Sequence, residues 1–288
     1  MSSGIAHLRD PVYVYRPSQI FRRIWYAACG VSEEEDAQLA WGGKLSVFGH
    51  EKNGRTILHR GVKELTVTES CFRLSCPGTL AVDVGANVGH MTSALAHGMR
   101  EGSVYAFEPH PKIYPLLERN VDRLSQEVQN VDVVPREKAI GRTGGMEILH
   151  VPKRWSENYG LATLQNASGT ETVRVAARRL TDEIDGPIHL LKLDVEGHEE
   201  AVLDGATSLL ERGGVRHICF EEHDFEDSAV VRRLTDAGYH IYAVRKHLCG
   251  PKLIDPQSSD GYNFIATLDP EGCRERFRAQ GWISLQNF

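Results

Sequence analysis

LAVDVGANVGHMTSAL, residues 80 to 95, is followed by FEPHP at residues 107 to 111. A short apolar strand runs into a glycine turn that opens a helix, and an acid, Glu108, stands 23 positions after Gly85 at the end of the next strand. Gly85 and Gly89 let backbone approach a ligand closely, and the helix that follows points free N–H groups at an anionic group. Glu108 is placed to reach ribose hydroxyls, as an acid ending a second parallel strand does in dinucleotide folds. The arrangement predicts a nucleoside pocket. A dinucleotide fingerprint needs glycine at its first, third and sixth positions, where this chain has Gly85, Asn87 and His90. A nicotinamide cofactor is therefore disfavoured.

The alternative pattern, Asp83 two residues before Gly85 and Gly89 four after it, is that of S-adenosylmethionine-binding methyltransferases. A second block, LLKLDVEGHEEAVL at residues 190 to 203, reads as a buried strand ending in Asp194 and Glu196, then a glycine and a helix. Together with DVGANVG, FEPHP, KAIG (138–141), GLATL (160–164) and HICFEEH (217–223), it resembles the FkbM family of S-adenosylmethionine-dependent methyltransferases over about residues 60 to 268. The resemblance implies an α/β class I methyltransferase fold, Rossmann-like: a mainly parallel sheet with a C-terminal antiparallel hairpin. It implies methyl transfer to oxygen of a small or sugar-like acceptor, and leaves the acceptor open. The cofactor set expected is Asp83, Gly85, Ala86, Asn87, Gly89, Glu108, Pro109, Ala139 and Asp194, with Asp83 at the methionine end of S-adenosyl-L-methionine and Glu108 at the ribose.

Methyl transfer needs a nucleophile aligned at about 3 Å from the methyl carbon, and an alcohol must lose its proton. Asp194, Glu196, Glu221 and His223 fall near the ends of neighbouring strands and are the expected catalytic group, with His198 and Glu222 as weaker candidates. Asp194 and Glu196 have a plainer reading, since an acid ahead of a helix caps it or stabilises its dipole, and among 13 histidines one near the site is expected by chance. Asp194, Glu221, Glu222 and His223 also have the oxygen and nitrogen donors to hold a divalent cation, a reading that is not favoured; no metal ligand is assigned. Two competing functions keep the cofactor: transfer to a carboxylate or amine, and a non-catalytic cofactor-binding partner.

Composition narrows the rest. A net charge of −6 and a pI near 6.1 supply no field for a polyanion, so nucleic acid is not an expected partner. The six cysteines show neither a CxxC pair nor finger spacing, as in a reducing cytoplasm. No apolar run approaches the roughly 18 residues of a spanning helix, so no membrane partner and a cytoplasmic location are expected.

Residues 1–75 read as an N-terminal extension to a methyltransferase domain at 76–288. In the extension, helices are expected from Pro17 and from Ser32-Glu33-Glu34-Glu35. LSVFG and RTILH read as a hairpin about the His50–Gly54 turn, and Glu64–Leu74 as strand or helix. Its aromatics Tyr13, Tyr15, Trp25 and Tyr26, and the segment Tyr159–Thr163, are expected to enclose substrate. The arm alternatively packs on the core or meets a second copy in a homodimer. In the domain, strands near 80–84, 103–107, 131–134, 145–151, 172–176, 188–193, 215–221, 239–245 and 262–268 alternate with helices at 88–98, 111–124, 179–185, 198–211, 227–237 and 271–280.

Overall fold

Apolar runs of about six residues bounded by glycine suit strands buried on both faces, and they build the central sheet. The computed structural model describes residues 10–152, 162–165, 170–256 and 263–286. Within it β3 (Thr79–Val84), β4 (Gly102–Phe107), β5 (Val131–Arg136), β9 (Ile188–Leu193) and β10 (Val215–Glu221) pair in parallel. The eight-stranded order is β12 (Gly250–Ile254), β11 (His240–His247), β13 (Asn263–Thr267), β10, β9, β3, β4 and β5. The chain runs outward from β3 to β5 and returns to lay β9 beside β3, so the order reverses between these two strands. Crevices at such reversals, outside the strands' carboxyl ends, are where open α/β sheets bind ligands.

Helices α5 (His90–Met99), α6 (Tyr114–Glu127), α8 (Glu199–Gly205), α9 (Thr207–Glu211) and α10 (Ala229–Asp236) carry the crossovers. One helix was expected over 198–211; it is divided at Ala206, whose φ of −105° and ψ of 8° leave the helical region. The expected C-terminal hairpin forms: β13 (Asn263–Thr267) lies antiparallel between β10 and β11 (His240–His247). An additional edge strand, β12 (Gly250–Ile254), pairs with β11. Pro251 is tolerated there because an edge strand need not donate from every residue. Strands β6 (Ala139–Ile140), β7 (Gly145–Pro152) and β8 (Thr170–Arg178) leave the main sheet and form a small one of their own. Exposed Met146 and Ile148 show that β7 has only one covered face. The other helices of this region are α7 (Leu180–Glu183) and α11 (Pro270–Phe277).

The extension differs most from its sequence reading. Helices α1 (Pro11–Tyr15) and α2 (Ser18–Cys29) form, but Glu34–Gln38 is strand β1 rather than a second arm helix. It pairs antiparallel with β2 (Lys44–Phe48), burying Ala37 against Leu45. The expected second hairpin strand is helix α3 (Lys52–Arg60): the Glu51 carboxylate accepts from Gly54 N at 2.6 Å, and Ile57 and Leu58 turn inward. Helix α4 (Leu65–Leu74) resolves the remaining ambiguity. All ten of its residues are buried, so it carries no polar stripe from which a helical period could be read.

Glu69 and Arg73 on α4 are a buried ion pair at 2.7 Å with no side-chain exposure. Glu69 also accepts from Ile283 N and from Ser284 N and Oγ, while Arg73 donates to the Arg276 and Gly281 carbonyls. The pair thus pins the C-terminal segment to the core. Removing one member of such a pair leaves an uncompensated buried charge, at a cost of about 3–5 kcal/mol. Urea unfolding of Glu69→Ala should show a loss of that size. Glu34→Ala, which breaks the exposed Arg119–Glu34 pair, should lose under about 1 kcal/mol.

Candidate functional site

Asp83 on β3 and Lys192 on β9 are register partners, and the site is built around them. Lys192 Nζ lies 3.1 Å from Asp83 Oδ1 and 3.4 Å from Asp194 Oδ2, and it donates to the Gly85 carbonyl at 2.9 Å. Burial works against the ammonium, but Asp83 and Asp194 outweigh it and hold its pKa above the ordinary lysine value. For Asp194 burial alone favours the neutral acid; Lys192, then Lys63, reverse this and leave it ionised. A lysine between Leu191 and Leu193 in an apolar strand was the visible signal of this centre, because lysine is almost never fully buried without a partner.

The Gly85–Gly89 turn is fastened from three sides. Gly85 N and Ala86 N donate to the Phe107 carbonyl, and Asn87 N donates to Glu108 Oε2 at 2.9 Å. Glu108 Oε1 accepts from His110 N, and Asn120 Nδ2 donates to the Val88 carbonyl. Burial pushes Glu108 up to about 7 against the pull of these amides. Gly85, at φ +78°, is required for a reason other than the expected ligand approach: a Cβ there would stand 1.9 Å from the Asp194 carbonyl oxygen. Three non-glycine residues here have left-handed backbone, Glu64 (φ 46°), Asn87 (φ 50°) and Glu196 (φ 49°). Such strain persists where the surroundings over-determine it, commonly at functional sites.

Two clefts meet at this turn. The first opens at the carboxyl ends of β3, β4 and β9, with Glu108, Pro109, Ile140, Leu149 and Glu196 on its walls. The second, smaller one lies between the turn and the extension. Both are lined by Lys63, Gly85, Asn87 and Asp194.

Of the expected cofactor residues, Gly85, Asn87, Glu108, Pro109, Ala139 and Asp194 line the first cleft, and Ala86 the second. Asp83 and Gly89 line neither. Asp83 has no exposure; its carboxylate is spent on Lys192 and on Thr92 Oγ1 at 2.7 Å, so it supports the site from beneath. Among the expected catalytic residues Asp194 and Glu196 line the first cleft, as does His198. Burial, reinforced by the charge of Asp194, pushes Glu196 up to about 7. Glu221 lines neither cleft but ends β10 half-buried, raised to about 7 by burial and then by Asp194 and Glu64. His223 is exposed and outside both clefts. Glu222 has the plainer role: it accepts from His223 N, Asp224 N and Ser228 Oγ, organising the start of α10. Of the enclosing segment expected at Tyr159–Thr163, residues 159 to 161 lie outside the described residues; Ala162 lines the first cleft. Trp25, Tyr15 and Tyr26 do not line either cleft, nor does buried Tyr13. Lys63 and Glu64 carried no motif and were not anticipated.

The model of the methyltransferase FkbM domain matches residues 83–241, more than half of the chain. The chain belongs to this family. A hexuronic acid methyltransferase, AglP of Haloferax volcanii, is 30% identical over 159 residues, covering 53% of this chain and 59% of that protein. The chain thus spans somewhat over half the length of that relative. A crystal structure of a methyltransferase FkbM from Methylobacillus flagellatus KT superposes with a TM-score of 0.42 at 16% identity, over 66% of this chain and 43% of that one. The M. jannaschii TYW2 structure in complex with AdoMet gives 0.42 at 13% identity, over 83% of this chain and 86% of that one.

The arrangement makes Asp83 dependent on Lys192. Lys192→Met strands a fully buried carboxylate and should cost about 3–5 kcal/mol in urea unfolding, whereas Lys192→Met combined with Asp83→Leu should recover part of that loss.

Proposed function

We propose that this chain is an S-adenosylmethionine-dependent O-methyltransferase acting on a hydroxyl of a small, sugar-like acceptor. One observation carries the reading: the cleft at the sheet's reversal point holds a nearly buried carboxylate ending β4 and, on another wall, a second carboxylate, Glu196, raised to about 7. The residues fit the cofactor. Glu108 spends one hydrogen bond per oxygen on Asn87 N and His110 N, which leaves acceptor capacity on both oxygens for a ribose diol. Pro109, Ile140 and Leu149 offer an apolar wall for a base. When bound, the cofactor supplies an electrophilic methyl group.

The chain's own groups supply the rest. Lys192 keeps Asp194 ionised, and the Asp194 charge in turn raises Glu196, so near neutral pH a large share of Glu196 is free to accept a hydroxyl proton. Asp194 itself, held low, is a weaker base. The name of the Haloferax relative supports a sugar-related acceptor. Among the described residues no three His, Cys, Asp or Glu side chains gather to hold a metal ion, and no step is assigned to one.

Titration calorimetry should show binding of S-adenosylhomocysteine and no heat with NAD. Glu108→Ala should weaken the former roughly 10- to 150-fold, the equivalent of about 1.5–3 kcal/mol; unchanged affinity would remove the nucleoside from this cleft. With labelled S-adenosylmethionine and a panel of sugar acceptors, the single-turnover rate should rise with pH through about 7, because the raised carboxylate must ionise to act as base. Glu196→Gln should cut that rate by about 10²- to 10⁴-fold and abolish the limb near 7, while Glu221→Gln retains it. EDTA should leave turnover intact. Transfer to an acid group, which needs no base, would show no such limb and would favour a carboxylate acceptor instead.

A further inference from the structure

We propose that the outer face of helix α2 docks the protein onto the surface of an anionic lipid bilayer, with Phe21, Ile24 and Trp25 entering the headgroup region and the basic residues of α2 and its neighbour α3 drawn to the lipid charge. The contact is peripheral: among the described residues no helix is long and apolar enough to cross a membrane.

Among the described residues nine large hydrophobic side chains stand exposed, and five of them, Val14, Tyr15, Phe21, Ile24 and Trp25, fall between positions 14 and 25. On α2 Phe21, Ile24 and Trp25 are 75%, 60% and 64% exposed, and their spacing of three and four residues puts them on one face. That face points away from the protein. On the other side of the helix Gln19 is buried, Arg22 donates to the Gln38 carbonyl at 3.0 Å, and Tyr26 packs on the core with its ring 5.9 Å from that of His59. Soluble surfaces seldom leave a contiguous apolar stripe open without a use. Phenylalanine, isoleucine and tryptophan opposite a polar side compose a helix that lies in the plane of a bilayer interface.

Charge decides what covers the stripe. Helices α2 and α3 pack together, and between them they carry Arg22, Arg23, Lys52, Arg55 and Arg60 with no Asp or Glu, in a chain whose net charge is −6. Arg60 is paired with Asp10, while Arg23, Lys52 and Arg55 are exposed. Burial, then the charges of Arg23 and Arg55, lower the pKa of His59, so two guanidinium groups, one from each helix, lie close to this ring. Glu34 and Asp36 on the following strand β1 are engaged by Arg119 and Arg123 of α6. A second copy docked face to face would set two such basic helix pairs against each other, and like charges repel. An anionic leaflet attracts the same groups and accepts the apolar stripe between them. Helix α3 also supplies Gly54 and Ile57 to the second cleft, so one helix joins the docking face to the site.

Flotation of the full chain with two kinds of vesicle tests this. Vesicles of phosphatidylcholine with about 30% phosphatidylglycerol should carry the wild type, and vesicles of phosphatidylcholine alone should carry little of it. Raising the salt to about 1 M, where the Debye length falls to about 3 Å, should release the wild type from the anionic vesicles. These arms need no variant. Phe21→Ser combined with Trp25→Ser should weaken partitioning roughly 10- to 100-fold, as loss of two inserted aromatic side chains does. Arg23→Glu combined with Arg55→Glu should weaken it about 10-fold or more. All four positions are exposed, and circular dichroism should match the wild type in both variants. A wild type that floats with neither vesicle, or equally with both, overturns the proposal, as does an aromatic double variant that floats like the wild type. Sedimentation showing a dimer that Phe21→Ser with Trp25→Ser dissolves would overturn it too, by giving the face to a second copy.

Discussion

Lys192 is the charge on which the site depends. Its ammonium lies beneath the turn, within reach of Asp83, Asp194 and the Gly85 carbonyl, and so couples two neighbouring strands to the loop between them. Burying an ion is expensive, and a buried pair is seldom kept for stability alone. Here the arrangement fixes geometry: Gly85 and the Asp194 carbonyl approach too closely for any side chain at position 85. It also sets charge. With Asp194 held ionised, its field falls on Glu196 and Glu221, two acids already raised by burial.

The extension is joined to the same turn through polar contacts rather than simple cover. Asn120 donates to the Ser46 and Val88 carbonyls and accepts from Ser46 N, so one side chain ties β2 to the glycine turn. Trp41 donates to Ser93 Oγ at 3.2 Å and meets the His90 ring edge-on at a centroid distance of 5.2 Å. Buried residues of both regions, Val12, Trp41 and Leu45 with Ala94, Leu117 and Val133, belong to one continuous core. The position of Lys63 is therefore fixed from α3, α4 and the turn together.

Sequence made the parallel strands legible because their apolar runs and glycine boundaries are local. The same holds for Glu108 and Asp194, which end such runs. What it hid depended on partners distant in the chain. Helix α4 is ambiguous because burial on all sides erases its period. Strand β1 was misread because Ser32 followed by acids is also a helix start; what decides it is pairing with β2, whose Val47 opposes Glu35. Asp83 looked like a ligand group because its position in the motif is visible, while the Lys192 that consumes it lies 109 residues away. His223 stands apart from both clefts for a geometric reason: β10 ends at Glu221, and His223 lies exposed beyond it.

The raised pKa of Glu196 bears on the charge balance of the proposed transfer. There a cationic methyl donor would share with an ionised Glu196 a cleft of partly apolar walls. If the acceptor is a neutral hydroxyl, Glu196 would take its proton as the donor's positive charge is lost, so two opposite charges would vanish together. Charge separation is costly in a medium of low dielectric, and its removal is correspondingly favoured. Without that base the proton would remain on the product oxygen, and a positive charge would stay in the cleft. Asp194 cannot substitute, because Lys192 stabilises its charged form and would oppose protonation. The division of labour between the two acids of the DVE segment, one pinned as an anion and one left free to titrate near neutrality, follows from Lys192 beside Asp194, supported by Lys63, and from the burial of Glu196 next to the Asp194 charge.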